Sequence, residues 1–313
     1  MAEIFVESAS IENISDLAMY ARIERGGRVC YRSEGKITND SALGFVNRIK
    51  NRKHYSVLGH SQLLIETNAL GAYKMWNACP QQLKGQITTH LADDSDQVII
   101  GTGVDVWLQL FIEAPMLAAI GLSNIFVEKF PEIFGDIGIT ENTLEIPISF
   151  APSKKVNMNI LTAAHMFKET FILDIDRATA MQLRTYRNAT HSVESQRYNN
   201  YTKKGFHFIR PSEVTDEFFP VWKSHKRLEA LRYEDYISAG FKPEFARCNL
   251  GSDICTQMVI TASLWEWKHI FEARLNTATQ SSAREVVQMI KDNLLEKYKG
   301  NEFAEYLGDT HVV

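Results

Sequence analysis

The residues best suited to chemistry lie between Gln182 and Tyr198, where the sequence reads QLRTYRNATHSVESQRY. After Leu183 this segment has almost no aliphatic side chains, and its three arginines stand among hydroxyl and amide groups. A guanidinium binds phosphate through two parallel hydrogen bonds, and its flat face stacks on rings. The segment therefore predicts a site for a planar, negatively charged ligand. On these residues alone, the alternative is that the arginines cap helix carbonyls and form surface ion pairs.

Spacing within the segment indicates which side chains can act together. Ser195 and Arg197 are two residues apart, so in an extended chain both project the same way and can reach one ligand. A hydroxyl beside a guanidinium suits a phosphate or a carbonyl group. Arg184 and Arg187 are three residues apart near a predicted helix end, so they share a face and can bind a second anion.

A strand and a helix are predicted to position this segment. Glu169–Ile175 alternates between polar and apolar residues and predicts a strand. Asp176 then suits the capping position of a helix predicted over Arg177–Arg187. Further along the chain, Pro243–Arg274 predicts one long helical region, and Phe218–Tyr236 predicts a pair of surface helices.

Arg274 continues an apolar stripe in that helical region, three residues after Phe271. Burying a guanidinium without a partner costs on the order of several kcal/mol, so the position implies a partner that accepts its charge. A neighbouring Glu or Asp is one candidate. A substrate phosphate or a pyrimidine carbonyl is the other.

The remaining elements are predicted from hydrophobic spacing and from helix start and stop residues. A helix over Ser15–Arg25 is predicted to end at Gly26 and Gly27, because glycine favours helix termination. The other predicted elements are helices at Asp40–Arg52, Pro80–His90, Val104–Gly121 and Ser281–Lys299, and strands at Gln62–Glu66 and Thr143–Phe150.

Composition restricts the class of protein. The chain has 313 residues, 45% apolar and 23% charged, with no linker-like stretch, so one globular domain over residues 1–313 is expected. The net charge of −4 gives no general attraction to nucleic acid or to a membrane surface, so an anion site must be a local pocket. The opening residues MAEIFVESAS resemble no secretion signal, and the four scattered cysteines predict a reducing, cytoplasmic location and no metal site.

The arginine-rich segment resembles the signature of the flavin-dependent thymidylate synthases. That signature runs roughly Arg-His-Arg, seven residues, Ser, then Arg-Tyr. Here the corresponding residues are Thr185–Arg187, Ser195 and Arg197–Tyr198. The first two positions of the family pattern are occupied by Thr and Tyr in this chain.

Two other regions resemble the same family, in the same order. CYRSEGK and HYSVLGH resemble its N-terminal motifs, in which His54, Ser56 and His60 match and Gly59 stands where the family has Glu. Near the C terminus, the positions that match an Ala-Arg pair, a Thr, an aromatic helix ending in Arg, and a closing Gln and Arg are Ala246, Arg247, Thr256, Trp267, Lys268, His269, Arg274, Gln280 and Arg284.

The resemblance implies a fold, an assembly and a reaction. The fold is α/β (α+β), a mostly antiparallel sheet wrapped by helices, with a helical insertion at about residues 68–155. The implied assembly is a homotetramer with active sites shared between subunits. The implied reaction methylates dUMP to dTMP, with methylenetetrahydrofolate as carbon donor, FAD as relay and NADPH as reductant. No nucleic acid and no membrane is expected as a partner.

The resemblance also implies roles for individual residues. The nucleotide ligands it implies are Gln182, Ser195, Arg197, Arg247 and Arg274. The residues it places against the flavin are His54, Ser56, Tyr186, Arg187 and His269. Arg274 and Ser195 are the implied catalytic residues, with Arg274 polarising the uracil carbonyl.

Two alternatives stay open at the level of sequence. One is a diverged relative that methylates or hydroxymethylates another pyrimidine nucleotide. The other is an oligomer that binds flavin or nucleotide without catalysis.

Overall fold

The structure, a computed structural model, describes residues 3–91, 96–139, 142, 144–151 and 158–310. The strands are β1 Ile4–Glu7, β2 Ser10–Asn13, β3 Gln62–Asn68, β4 Thr88–Leu91, β5 Gln97–Gly103, β6 Ile148–Phe150, β7 Lys168–Asp176, β8 Thr190–Val193, β9 Phe206–Ile209 and β10 Cys255–Ser263. The helices are α1 Met19–Arg28, α2 Ser41–Asn51, α3 Ala69–Ala78, α4 Gln81–Lys84, α5 Val104–Glu113, α6 Leu122–Lys129, α7 Pro131–Phe134, α8 Ile160–Met166, α9 Arg177–Leu183, α10 Tyr201–Lys204, α11 Phe219–Ser238, α12 Pro243–Ala246, α13 Leu264–Arg274, α14 Ser281–Lys297 and α15 Glu302–Gly308. Within these ranges, no helix combines the length and the apolar character that crossing a bilayer requires.

The central sheet has the strand order β2-β7-β10-β8, and all its pairs are antiparallel. Its two long strands, β7 and β10, pair along their whole length, from Cys255 opposite Asp176 to Ser263 opposite Lys168. Helices α9, α13, α14 and α15 contribute apolar side chains to one core with this sheet. The predicted mixed fold, a mostly antiparallel sheet wrapped by helices, is confirmed.

A second antiparallel sheet, β4-β5-β3-β6, occupies the first half of the chain. Three of its strands and helices α3 to α7 come from the predicted insertion, so this region contains strands as well as helices. It forms a separate apolar core with α1 and α2, which includes Trp107 and Phe126. The predicted C-terminal end of the insertion lies outside the described residues.

The prediction that Pro243–Arg274 is helical throughout is wrong, because its middle part forms strand β10. Met258, Val259 and Ile260 are all fully buried, although consecutive residues of a strand face opposite sides of the sheet. A strand covered on both faces reads as a continuous apolar run, which periodicity alone does not separate from a buried helix. Ser263 then caps α13 by accepting a hydrogen bond from the Glu266 N–H at 3.2 Å.

Other helix predictions are wrong in length or number. The predicted helix Val104–Gly121 stops as α5 at Glu113, since Pro115 cannot supply the N–H that would continue it, and a 3₁₀ helix follows. The predicted helix Pro80–His90 divides into α4 and strand β4. The predicted pair of helices at Phe218–Tyr236 is the single helix α11.

The predicted strand Thr143–Phe150 is only partly observed. Strand β6 begins at Ile148, and Thr143 lies outside the described residues.

Helix α1 continues through Gly26 and Gly27, so the predicted stop at these glycines is wrong. The reason is packing. A Cβ atom on Gly27 would lie 2.6 Å from Val57 Cγ1 and 2.7 Å from Phe45 Cζ, both in buried side chains. The glycine therefore allows α1 to lie directly against α2 and the 3₁₀ helix Tyr55–His60.

We expect Gly27→Ala to lower the free energy of unfolding by about 1–3 kcal/mol, because the overpacking of a core exceeds the gain in helix propensity. Gly35→Ala is the matched control, since no atom lies within 4 Å of the added Cβ. Urea unfolding of both variants measures the difference. Equal stabilities of the two variants would contradict the packing explanation.

His60 is fully buried and joins the two halves of the fold. Its Nδ1 lies 2.9 Å from Thr261 Oγ1 on β10, and its Nε2 lies 2.8 Å from Ser192 Oγ on β8. Thr170 Oγ1 on β7 lies 2.9 Å from the same Thr261 hydroxyl. Burial, with a smaller effect of His191, lowers the pKa of His60 to about 3, so the imidazole is neutral in the folded protein.

This pKa makes stability depend on pH. Between about pH 6.5 and pH 3 the unfolded chain binds a proton at His60 that the folded chain does not, so stability falls as the pH falls. We expect His60→Gln to reduce this slope by about 1.4 kcal/mol per pH unit between about pH 4 and pH 6. Urea unfolding across that range tests the expectation, with the exposed His225→Gln on α11 as control. An unchanged slope in His60→Gln would refute it.

Candidate functional site

Helix α9 places two arginines at one side of the central sheet. Asp176 caps the helix, as predicted, by accepting the Thr179 N–H at 2.8 Å. The helix ends at Leu183, and not at Arg187 as predicted, and after it the Thr185 hydroxyl donates to the Gln182 carbonyl at 2.7 Å. Arg177 and Arg184 are seven residues apart, two helical turns, and therefore lie on the same face.

These arginines line a cavity of about 490 Å³ between α9, β8 and the chain after β8. The side chains around it are Arg177, Ala180, Met181, Arg184, His191, Val193, Glu194, Ser195, Gln196 and Arg247. We call it the arginine cavity. It contains two of the predicted nucleotide ligands, Ser195 and Arg247.

The arginine cavity carries positive charge that has no counter-ion in the described part of the chain. None of Arg177, Arg184 and Arg247 forms an ion pair with a described residue. Burial lowers the pKa of the Arg177 guanidinium, and the positive charges of Arg247 and Arg184 lower it further. The acid in the cavity wall, Glu194, already pairs with Arg32 at 2.8 Å. An anionic ligand would therefore relieve repulsion within the site.

His191 adds a neutral polar group to the cavity wall. Burial lowers its pKa to about 4, and the charge of Arg184 contributes, so the imidazole is uncharged near neutral pH. Its Nε2 is buried without a hydrogen-bond partner among the described residues. A buried polar atom of this kind costs stability unless a ligand or water satisfies it.

A turn after β8 separates two residues that were predicted to act together. The Asn199 N–H donates to the Ser195 carbonyl at 3.1 Å, so the chain curls and is not extended. Ser195 lines the arginine cavity, whereas Arg197 is exposed and its Nε donates to Glu244 at 2.8 Å. Within one chain the two side chains therefore do not face one ligand. Because α9 ends early, Arg184 and Arg187 do not share a helix face either.

A second group of predicted residues meets beside α13. The Arg274 guanidinium lies 5.4 Å from the centre of the Tyr186 ring, and Tyr186 packs edge-on against His269 at 5.7 Å. Arg274 Nη2 also donates to the Thr185 hydroxyl at 3.4 Å. The Glu or Asp partner considered for Arg274 is not found among the described residues. His269 continues into a row of stacked rings through Trp265.

The other predicted residues lie apart from these two groups. His54 lines a second cavity of about 300 Å³, whose other lining residues are Arg28, Tyr31, Ser33, Lys36, Phe45, Arg48, Ile49 and Arg52. Ser56 and Arg187 are exposed. Gln182 donates to the Gln280 side chain at 2.9 Å. The roles assigned to all these residues stay predictions.

Arg177 and His191 are candidate ligands that sequence reasoning did not identify. The spacing of seven between Arg177 and Arg184 was a usable signal, since it places two arginines on one face of a predicted helix. No such signal marks His191, because only the pairing of β8 with β10 fixes the direction of its side chain.

Residues 155–298, which hold β7, α9, β8, β10 and α13, match the family of thymidylate synthase complementing proteins (Thy1). The match covers a little less than half of the chain. The resemblance to the flavin-dependent thymidylate synthases that the sequence predicts is confirmed.

Individual relatives are distant. The flavin-dependent thymidylate synthase of Pyrococcus furiosus is 27% identical over 135 residues, which cover 41% of this chain and 55% of that protein. The one from Thermococcus onnurineus is 30% identical over 37% of this chain and 50% of its own length. The chain thus spans about half the length of these curated relatives. A solved structure of the UMP/dUMP methylase PolB from Streptomyces cacaoi, bound with 5-Br UMP, aligns with 97% of this chain and 95% of that chain, at 10% identity and a TM-score of 0.44.

We expect Arg177→Gln and Arg247→Gln each to weaken the binding of inorganic phosphate and of dUMP about tenfold or more, since each removes a charge-assisted contact. The melting temperature should stay within a few degrees, because neither arginine forms an ion pair with an acid in the part of the chain that the structure describes. Calorimetric titration and thermal unfolding test both statements. Arg227→Gln, at an exposed arginine of α11, is the control. A loss of fold without a loss of binding would assign the two arginines a structural role.

Proposed function

We propose that this protein is a flavin-dependent enzyme that methylates dUMP to dTMP. Methylenetetrahydrofolate is the carbon donor and NADPH the reductant. The observation that carries the proposal is the arginine cavity, whose three guanidiniums have no ion-pair partner among the described residues and lie in the part of the chain that matches the family. A nucleoside monophosphate has a doubly charged phosphate for this cluster and a planar base for the neutral groups beside it.

The cavity suits the two ends of such a nucleotide differently. Arg177, Arg184 and Arg247 suit the phosphate, because guanidiniums bind its oxygens in pairs. His191 Nε2 and the Ser195 hydroxyl suit polar groups of the sugar or base, since each is a neutral hydrogen-bonding group in the wall. A ligand that contacts both sets would satisfy the buried imidazole and offset the clustered charge.

The second group suits a planar cofactor. Tyr186 and His269 present aromatic surfaces, and Arg274 adds a cation that has no acidic partner among the described residues. In this proposal FAD is held there, with Arg187, His54 and Ser56 as its further ligands. Bound flavin supplies the transfer of the carbon unit and of hydride. Arg274 polarises the uracil carbonyl and so stabilises negative charge as C5 becomes nucleophilic.

The cysteines support a route without an enzyme thiolate. Burial raises the pKa of Cys30, the cysteine whose backbone contacts the signature segment, and it raises the pKa of Cys255 to about 12. A thiol with a raised pKa is a poor nucleophile at neutral pH. The flavin route makes no use of a cysteine nucleophile.

Sharing of sites between subunits would explain why the predicted residues are separated in one chain. Arg197 and Arg187 are exposed, and His54 lines a different cavity from Ser195. In a homotetramer with shared active sites, exposed residues of one subunit complete the cavity of another.

The experiment is a product screen with purified protein, FAD, methylenetetrahydrofolate and NADPH, offered dUMP, UMP, dCMP or CMP in turn. We expect dUMP to gain the mass that corresponds to replacement of the C5 hydrogen by a methyl group, with release of tritium from [5-³H]dUMP that requires both folate and NADPH. Arg274→Gln should abolish turnover while it leaves the fold intact. If another nucleotide is methylated or hydroxymethylated instead, that nucleotide is the substrate and dUMP is not. If the protein binds flavin but yields no product with any nucleotide, the catalytic proposal is wrong.

A further inference from the structure

The second cavity has His54, a proposed FAD ligand, at its edge, and the proposed reaction assigns no ligand to the cations that line it. Its lining includes no acidic residue within the part of the chain that the structure describes. Four of its side chains are Lys or Arg, and they come from three separate stretches of sequence. We call it the rim cavity, after the exposed cations Lys36, Arg48 and Arg52 at its opening.

The three rim cations are free to bind a ligand. None of Lys36, Arg48 and Arg52 forms an ion pair with a described residue. Arg28, by contrast, is buried and occupied. Its Nη2 lies 2.6 Å from Glu24, and its guanidinium lies 4.8 Å from the centre of the Phe45 ring. The charge available to a ligand is therefore the charge of the rim.

The helix dipole explains only part of this cluster. Arg48 is in the last turn of α2 and Arg52 follows it, where positive side chains are favoured by the partial negative charge of a helix C terminus. Lys36 belongs to the separate 3₁₀ helix Glu34–Lys36 before α2, so the dipole of α2 does not explain why Lys36 lies at the same cavity. Three unpaired cations from two elements at one opening indicate a ligand with several negative charges.

The wall of the rim cavity also contacts the arginine-rich segment. Tyr31 and Ser33 line the rim cavity. The residue before Tyr31, Cys30, accepts a hydrogen bond from the Ser195 N–H at its carbonyl, at 3.0 Å. Arg32 pairs with Glu194, which lines the arginine cavity. Residues 28–33 therefore contact both basic cavities, an arrangement that suits an enzyme with two anionic substrates.

We propose that Lys36, Arg48 and Arg52 bind the multiply charged tail of a co-substrate, whose ring system lies toward Tyr31. This proposal rests on the proposed function. The shared chemistry is a flexible chain of carboxylate or phosphate groups attached to an aromatic ring. Two co-substrates of the reaction carry such groups, the glutamate tail of methylenetetrahydrofolate and the phosphates of NADPH.

The test compares a double variant of the rim with a matched double variant elsewhere. Arg48→Gln/Arg52→Gln removes two rim cations, and Arg227→Gln/Arg232→Gln removes two exposed, unpaired arginines of α11. Equilibrium binding is measured by calorimetry at low and high salt for four probes: tetrahydrofolate with one or with five glutamates, NADPH and NADH. Since binding is measured without turnover, a protein that proves inactive in the product screen is still a valid sample.

We expect the rim variant to lose about tenfold in affinity for one of the two highly charged probes, the pentaglutamate or NADPH, and to bind its less charged counterpart nearly unchanged. The probe that is affected identifies the source of the tail, and the effect should shrink at high salt. Equal affinities of the rim variant and the wild type for every probe would overturn the proposal. So would an equal loss in the α11 variant. If dUMP binds the arginine cavity while no probe depends on the rim, only this proposal fails.

Discussion

The arrangement of both cavities depends on the two hydrogen bonds made by the neutral, fully buried imidazole of His60. Its two nitrogens contact hydroxyls on different strands, Thr261 on β10 and Ser192 on β8. The 3₁₀ helix that ends at His60 also begins next to His54, at the rim cavity. The His60 side chain thus holds strand β8 against the 3₁₀ helix Tyr55–His60, which begins beside the rim cavity. Its full burial requires the uncharged form, because an imidazolium there would have no acidic partner among the described residues.

Positive charge is concentrated at two cavities of this chain. The net charge is −4, yet two cavities have arginine-rich linings, and every cation in them except Arg28 lacks an acidic partner among the described residues. The acids nearest to them are already occupied: Glu194 pairs with Arg32, and Glu24 pairs with Arg28. One of these pairs occupies an acid in the wall of the arginine cavity, and the other occupies an acid beside the rim cavity. The clustered arginines therefore oppose one another until an anion is bound, which favours binding over the empty state.

The sequence predicted local features of the fold better than it predicted how they meet. The Asp176 cap and strand β7 follow from residue types and alternation within a few positions, and both are observed. Strand β10 was missed because a strand buried on both faces has no period of two. Family motifs identified Ser195, Arg197 and Arg247. Ser195 and Arg247 share a cavity, whereas Arg197 points elsewhere because the chain between Ser195 and Arg197 is not extended as assumed. The turn that redirects it depends on hydrogen bonds between distant segments, including one to the Cys30 carbonyl, and spacing carries no information about those.

The order of strands in the central sheet has a consequence for biosynthesis. Among the strands that the structure describes, β2 pairs with β7 alone, and Ser10 contacts Asp174 across 164 positions of sequence. At about 5–20 residues per second, the ribosome needs roughly 8–30 seconds to make the intervening chain. During that interval the second sheet can close on its own core, since its strands and helices are contiguous in sequence. The early strand must stay unpaired and soluble meanwhile, and its short, polar sequence SIEN suits that delay, because it offers little apolar surface to other chains.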